Sequence, residues 1–425
     1  MEWPFFFLTA CDKDDVPYGA FNNGSGKRNL IVVISDIHLG ADPAYAEIHD
    51  NLDTLEVFLE KIRESRNVKE LVIGGDLLDE WYIPATTDTY DGGNQADFVS
   101  RIAAANRGVI DKFNQIISER KILVSYVPGN HDMAISAENI NLILPGLNQV
   151  RDAAGVGTYS PAGHPEIAIE HGHRYNIIAA PDPVSNQGIA HGTILPPGYF
   201  FTRLAVLHFL QGCMQSTDAI KQVTPDISSN ESQKLLYGYW QSWAWWLNML
   251  PIDNHFNEKM IATNVDGFSG NFSVDDLIPY QDTPGGEIKV RLYDGIQDTW
   301  AERCLRNSVD VPIPTADAFK YASESAAGTD IMAEIQYFSN PHSTKRIVIF
   351  GHTHVAKILK HTNYGGLESI YANSGTWVDE NPNGTKLDFI VITPQDDRAD
   401  SKTRVSLYNF SKEQENMVIE ESVKL

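Results

Sequence analysis

Five short runs of β-branched and aliphatic residues in this chain each stop at a cluster of aspartate, asparagine or histidine. No other feature narrows the available folds as much. The run Asn29–Ser35 (NLIVVIS) leads into Asp36-Ile37-His38, and Leu71–Gly74 leads into Gly75-Asp76-Leu77-Leu78-Asp79. Ile122–Val127 precedes Gly129-Asn130-His131-Asp132, Glu166–Glu170 runs into His171-Gly172-His173, and Lys345–Phe350 delivers Gly351-His352-Thr353-His354. Strand-like runs alternating with amphipathic stretches are the pattern of an α/β domain, and open α/β sheets place their sites in loops at the carboxyl ends of strands. In Asp-x-His and His-x-His, alternate residues of an extended segment point to one side, so each pair can aim at one ion. The glycines beside them let the backbone turn sharply and approach closely.

The same reading predicts helices over 45–65, with apolar Leu52, Leu55, Val57, Phe58, Leu59 and Ile62, and over 97–120. Further strands are expected at Ser369–Ala372, Leu387–Thr393 and Val405–Phe410. Between about 180 and 340 the rhythm stops, and aromatics, prolines and asparagines take over. The economical organisation is an N-terminal tail (1–28) and one α/β domain in two parts (29–179 and 341–425), interrupted by an aromatic-rich cap region at 180–340.

The ordered series D-x-H, G-D-x-x-D, G-N-H-[DE], H and G-H-x-H resembles the calcineurin-like metallophosphoesterase superfamily, over roughly residues 29–175 and 343–395. The resemblance implies two packed mixed β-sheets flanked by helices, with the insertion as a cap beside the site. It implies two divalent metal ions: Asp36, His38 and His354 on one, Asn130, His171 and His352 on the other, and Asp76 bridging them. Mixed carboxylate, amide and imidazole donors suit manganese, iron or zinc. A metal-bound hydroxide would attack phosphorus in line, with each ion stabilising charge on the oxygens it holds. His131 corresponds to the family's non-ligand catalyst, which contacts the phosphoryl oxygen or protonates the leaving group. Asp79 or Asp132 would orient that imidazole by accepting from its other nitrogen. The competing reading of Asp132 is a helix N-cap before residues 133–140. His171 is the expected ligand of its pair, with His173 supporting or substituting for it, and Arg174 is either a phosphate-binding or a surface residue.

The implied activity is hydrolysis of a small phosphate ester, the alternative being a pyrophosphatase or phosphodiesterase acting on a nucleotide-linked or lipid-linked substrate. Glu80-Trp81 stand where protein serine/threonine phosphatases carry arginine and glycine, which argues against that branch. The segment Gly-Asp-Leu-Leu-Asp-Glu-Trp is more similar to the branch containing UDP-diacylglucosamine hydrolases. A net charge of −23 repels a phosphate backbone and argues against a nucleic acid polymer as partner.

Phe5-Phe6-Phe7-Leu8-Thr9-Ala10-Cys11, followed by Asp12-Lys13-Asp14-Asp15, resembles the lipobox and acidic export signal of bacterial surface lipoproteins. It implies an extracytoplasmic protein, in the periplasm or at the cell surface, tethered to the membrane through a lipidated Cys11. The hydrolase-like segment points instead to the cytoplasm. Three cysteines cannot build a disulfide scaffold, and Cys213 and Cys304 are either free or paired. In the cap, Tyr237–Trp246 carries four tryptophans that would occupy both faces of a helix, so most should be buried. They form either a plain aromatic core or a pocket recognising a base, a sugar or an acyl chain. His191, His208 and His255 lack ligand spacing and are read as structural.

Overall fold

The computed structural model describes residues 19–425 apart from 213, 217, 226–229, 325, 397 and 399 and the side chain of 326. The Cys11 segment and Cys213 lie outside the described residues. Leu30–Ile34 (β1) is buried at every position. Ile31 and Val33 face one apolar cluster while Leu30, Val32 and Ile34 face another. This is the period-2 alternation of a strand whose sheet is covered on both sides. The chain continues through Leu52–Glu64 (α1), Val68–Ile73 (β2), Gln95–Ala105 (α2), Arg107–Glu119 (α3), Leu123–Tyr126 (β3), Ala137–Ile143 (α4), Asn148–Gln149 (β4) and Ile167–Ile169 (β5).

A long, mostly helical stretch follows: Pro197–Leu210 (α5), Glu231–Met249 (α6), the hairpin Ile261–Val265 (β6) and Phe268–Phe272 (β7), and Val274–Leu277 (α7). Tyr280–Gln281 (β8) pairs with Ile288–Lys289 (β9), and Ile296–Arg306 (α8), Thr315–Ser323 (α9) and Ala326–Ala333 (α10) complete it. The chain then returns through Ile347–Phe350 (β10), Lys357–Thr362 (β11), Glu368–Asn373 (β12), Asp388–Thr393 (β13), Thr403–Ser411 (β14) and Gln414–Val423 (β15). One mixed sheet has the order β15-β14-β13-β1-β2-β3-β4 and the other β11-β12-β10-β5. Both sheets draw strands from before and after the helical stretch. Ile31, Val33 and Ile390 of the first sheet pack with Ile169, Ile349 and Ile370 of the second in one buried layer. Two mixed sheets packed face to face and flanked by helices agree with the sandwich expected from the sequence resemblance. No helix among the described residues is long and apolar enough to cross a membrane.

Three local expectations need correction. The helix expected over 45–65 begins only at Leu52, because the backbone N–H groups of His49, Asp50 and Asn51 donate to the Asp379 carboxylate at 2.7, 3.0 and 2.9 Å. That acceptor lies over 300 residues away in sequence, beyond the reach of a local reading. The helix expected over 97–120 is two helices, broken where the Asn106 amide donates to Ile102 O and to Gly40 O. The second of these bonds anchors the loop that follows His38. The irregular look of residues 180–340 hides helices: α5 is buried on almost every side and so lacks a polar stripe. The edge strand β15 had no apolar alternation to reveal it, being largely exposed and held by its register along β14.

Replacing Asp379 by alanine removes the acceptor for three N–H groups at the start of α1. The expected loss is about 1–2 kcal/mol of stability, read as a lower denaturation midpoint in urea at unchanged slope. An unchanged midpoint would show that water satisfies these groups equally well.

Candidate metal centre

β1, β2 and β3 run parallel, as do β10 and β5, so their carboxyl ends gather at one edge of each sheet. The five predicted clusters meet there. The loops do not present their side chains by pleat alternation, as expected from sequence. Residues 35–38 and 351–354 are not in strands, and Asp36 (φ 53°), His38 (φ 54°), Asp76 (φ 52°), His352 (φ 68°) and His354 (φ 57°) are all left-handed. Non-glycine residues adopt that region at a cost and persist in it where surrounding structure over-determines them. The motif glycines make room for this crowding. A Cβ on Gly129 would collide with the Asp76 carboxylate, and one on Gly75 with the His171 ring.

Asp36 and Asp76 are 0% and 1% exposed, and their only charged partners among the described residues are histidines. Asp36 Oδ1 lies 3.1 Å from His354 Nε2, 3.9 Å from His171 Nε2 and 4.0 Å from His38 Nε2. Asp76 Oδ2 lies 3.1 Å from His171 Nε2 and 3.6 Å from His38 Nε2. The His171 Nδ1–H donates to Gly74 O at 2.9 Å, which leaves Nε2 as a lone pair facing two further acceptors, Asp76 Oδ2 and Asn130 Oδ1, the latter at 3.1 Å. His38 is held the same way. Its Nδ1 lies between Asp79 Oδ2 at 2.9 Å and Glu47 Oε2 at 3.1 Å, while its Nε2 meets His354 Nε2 at 3.3 Å. Acceptors facing acceptors in a buried site require a proton or a metal cation between them. Two three-residue groups stand within ligand-sharing distance, Asp36/His38/His354 and Asp36/Asp76/His171. His352 joins neither group; its ring centre lies 5.2 Å from that of His171 and its backbone N–H donates to Asp36.

Proton affinities show the same demand. Burial raises the Asp76 pKa, but the imidazoles of His171 and His131 outweigh it and hold the group well below its ordinary value. Burial works against a charged His171, yet Asp76 and Asp36 push it up to about 9. His38 rises well above normal against the same burial because Glu47 and Asp79 face it. Without a cation the imidazoles take up protons to balance the carboxylates; a divalent ion would displace those protons. The donor set of carboxylates, amide and imidazoles fits such an ion. His352, pushed down to about 3 by burial and by His171, already presents a neutral ring.

Beside this cluster, His131 Nδ1–H donates to Asp79 Oδ1 at 2.8 Å, and its ring stacks on Trp81 at 4.8 Å and 28°. Asp79 also accepts from the Trp81 and Tyr82 backbone N–H groups, so one carboxylate fixes both His38 and His131. Asp132 does not orient the His131 ring. Its oxygens accept from the backbone N–H groups of Gly129, Leu77 and Leu78 at 2.8, 2.7 and 3.2 Å, bracing the β2 and β3 loops against each other. Nor is it an N-cap; Ser136 caps α4. Arg174 is neither at the phosphate site nor on the surface. It is buried, paired with Glu170 at 3.1 Å, and donates to Asn307 O at the end of α8. His173 is buried with neither ring nitrogen bonded, 5.3 Å from the His171 ring. His208 and His255 bind Pro251 O and Asp218. Glu47 was missed because sequence periodicity placed it inside a helix, whereas it sits in the loop before α1 with its carbonyl accepting from the Asp379 N–H. Cys304 is buried and has no disulfide partner among the described residues, which do not include Cys11 or Cys213.

Residues 30–195 match the family model for calcineurin-like phosphoesterases. No curated protein matches the chain.

Between Asp79 and Trp81, the buried Glu80 accepts from Tyr90 Oη–H at 2.6 Å and Gln95 Nε2–H at 3.0 Å, and burial pushes its carboxyl up to about 7. An acid with a raised folded-state pKa favours the folded state while protonated. Its contribution is lost as pH rises from its unfolded value, near 4.5, through about 7. Glu80→Gln is therefore expected to be more stable than the parent at pH 8 than at pH 5, by on the order of 3 kcal/mol at most. Urea denaturation at the two pH values measures it, and an equal difference at both would refute the assignment.

Proposed function

We propose that this protein is a dinuclear metal-dependent phosphoesterase that hydrolyses a small phosphate ester, a reading supported by the match of residues 30–195 to the calcineurin-like phosphoesterase family model. The observation that carries this reading is the set of imidazole lone pairs turned onto two buried carboxylates with no lysine or arginine among their partners in the described residues. Asp36, His38 and His354 would hold one divalent ion, and Asn130, His171 and His352 the other, with Asp76 shared. Manganese, iron and zinc suit these donors. When bound, the ions supply Lewis acidity toward the phosphoryl oxygens and an acidified water. Asp79 keeps His131 Nδ1 protonated and stacking on Trp81 fixes the ring, so Nε2 is the nitrogen left to deliver a proton to the departing oxygen. The Glu47 carboxylate shares the His38 N–H with Asp79 and holds that imidazole in one tautomer.

A second reading, a diesterase or pyrophosphatase acting on a nucleotide-linked or lipid-linked substrate, draws support from the cavity. The space of about 400 Å³ that touches Asp76, Asn130, His131 and His354 also reaches Trp245 and Trp246 of α6, which leaves room beyond a phosphate. The net charge of −23 works against a nucleic acid polymer in either case.

Manganese-loaded protein is expected to turn over p-nitrophenyl phosphate or its bis ester and to contain two metal ions per chain by elemental analysis. Asp76→Asn should lose metal and turnover together, and His131→Ala should keep its metal while kcat falls about 10²–10⁴-fold. Full turnover in Asp76→Asn would sink the reading. Preference for the monoester selects the first substrate class and preference for the diester the second.

The lipobox-like segment supports an extracytoplasmic protein tethered through Cys11, with the cytoplasm as the competing location. Mass spectrometry of membrane-extracted protein should find an acylated Cys11 at the mature N-terminus. Intact Met1 in the soluble fraction would exclude it.

A further inference from the structure

Resting on the phosphoesterase reading, we infer that α6 and α9 form a subsite for an organic substituent of the ester, and that this substituent is a nucleoside whose base stacks on Trp245. The metal-centre cavity does not end at the phosphate position. A second cavity of about 510 Å³ adjoins it, and the two share Ile178, Trp245, Trp246, Ala322 and Ser323 as walls. Volumes of this size lie within the roughly 300–1,000 Å³ of small-molecule sites.

Trp245 is 57% exposed. The expectation that most of the α6 tryptophans are buried holds for Trp240 and Trp243 and fails for this one. Trp246 is partly buried, 5.3 Å from Phe201, which itself stacks on the buried Trp243 at 3.8 Å. Trp245 meets Trp246 edge to face, at 5.4 Å and 81°. A T-shaped contact of that kind leaves an indole face uncovered. Small-molecule sites are concave and lined largely by apolar and aromatic side chains with a few polar groups, and an indole open at the wall of such a cavity offers a ligand a face to cover.

The polar lining decides what kind of ligand. The side-chain amide of Gln241 and the indole N–H groups of Trp245 and Trp246 make no hydrogen bond among the described residues. The Ser242 and Ser323 hydroxyls donate to Gly238 O and Lys320 O, which leaves their oxygens as acceptors. An acyl chain laid across this surface would desolvate these groups without pairing them, at a cost per group comparable to that of a lost hydrogen bond. A heteroaromatic base meets both requirements, its face on the indole and its edge on the amide and hydroxyls. Stacking of a base on an aromatic side chain is worth about 1–3 kcal/mol by alanine substitution.

The test uses manganese-loaded protein and matched ester pairs: adenosine 5′-phosphate against glycerol 3-phosphate, and thymidine 5′-(p-nitrophenyl) phosphate against methyl p-nitrophenyl phosphate. Glucose 6-phosphate and decyl phosphate are comparators. The expected result is at least a tenfold preference in kcat/KM for the nucleoside member of one pair, expressed in KM. Trp245→Ala and Gln241→Leu should collapse that ratio toward one, while Leu305→Ala, on the exposed side of α8, keeps it. Turnover of the small esters with no nucleoside preference, a preference that survives Trp245→Ala, or a stronger preference for the glucose or decyl ester each overturns the subsite and leaves the phosphoesterase reading standing. No turnover of any ester overturns both.

Discussion

Two carboxylates buried to within 1% of complete exclusion from water, Asp36 and Asp76, set the terms for the rest of this structure. Charges of one sign inside a protein are tolerated only with compensating partners, and here every such partner among the described residues is an imidazole. Around them the chain accepts five left-handed non-glycine residues and glycines with no space for a side chain. Asp132 takes three backbone N–H groups from two loops, and Asp379 takes three more at the start of α1. These contacts hold the site rigid where its own electrostatics would pull it apart, and the same unbalanced charge makes it receptive to divalent cations.

The helical stretch between β5 and β10 is joined to this centre by a short chain of contacts. Asp79 fixes His131, His131 stacks on Trp81, and Gly198 of α5 approaches Trp81 so closely that an added Cβ would lie 3.1 Å from the indole. The buried Arg203 of α5 donates to the carbonyls of Ile83, Pro84 and Ala262, tying the loop after Trp81 to the β6 hairpin. On the other side Arg174, the residue after His173, reaches the end of α8. The position of α5 and α8 is therefore set by the same loops that carry the site, and the open face of Trp245 on α6 lies over the metal-centre cavity.

Much of the frame was legible in sequence because strands buried on both faces announce themselves by composition. The runs 29–35, 71–74, 122–127, 166–170 and 345–350 each fall on a strand whose bounds shift by no more than three residues. What escaped was everything that depends on a distant partner. The start of α1 is fixed by Asp379, the break at Asn106 by a bond to Gly40 O, and β15 by pairing with β14, and none of these leaves a periodic signal. Glu47 went unseen for the same reason: its place beside His38 follows from a loop that local periodicity reads as helix.

The sequence by itself determined which residue types stand at the strand ends, and hence the α/β class, the family resemblance and the cluster able to attract divalent ions, since these follow from local order and spacing. Only the tertiary structure decided how those residues are used. It assigned the orienting carboxylate to Asp79 rather than Asp132 and took Arg174 into a buried ion pair. It also left two of four neighbouring tryptophans, Trp245 and Trp246, lining a cavity. Those outcomes depend on which side chains meet after long stretches of chain close on one another, and closure of that kind is written in the packing of both sheets and the cap together, not in any segment alone.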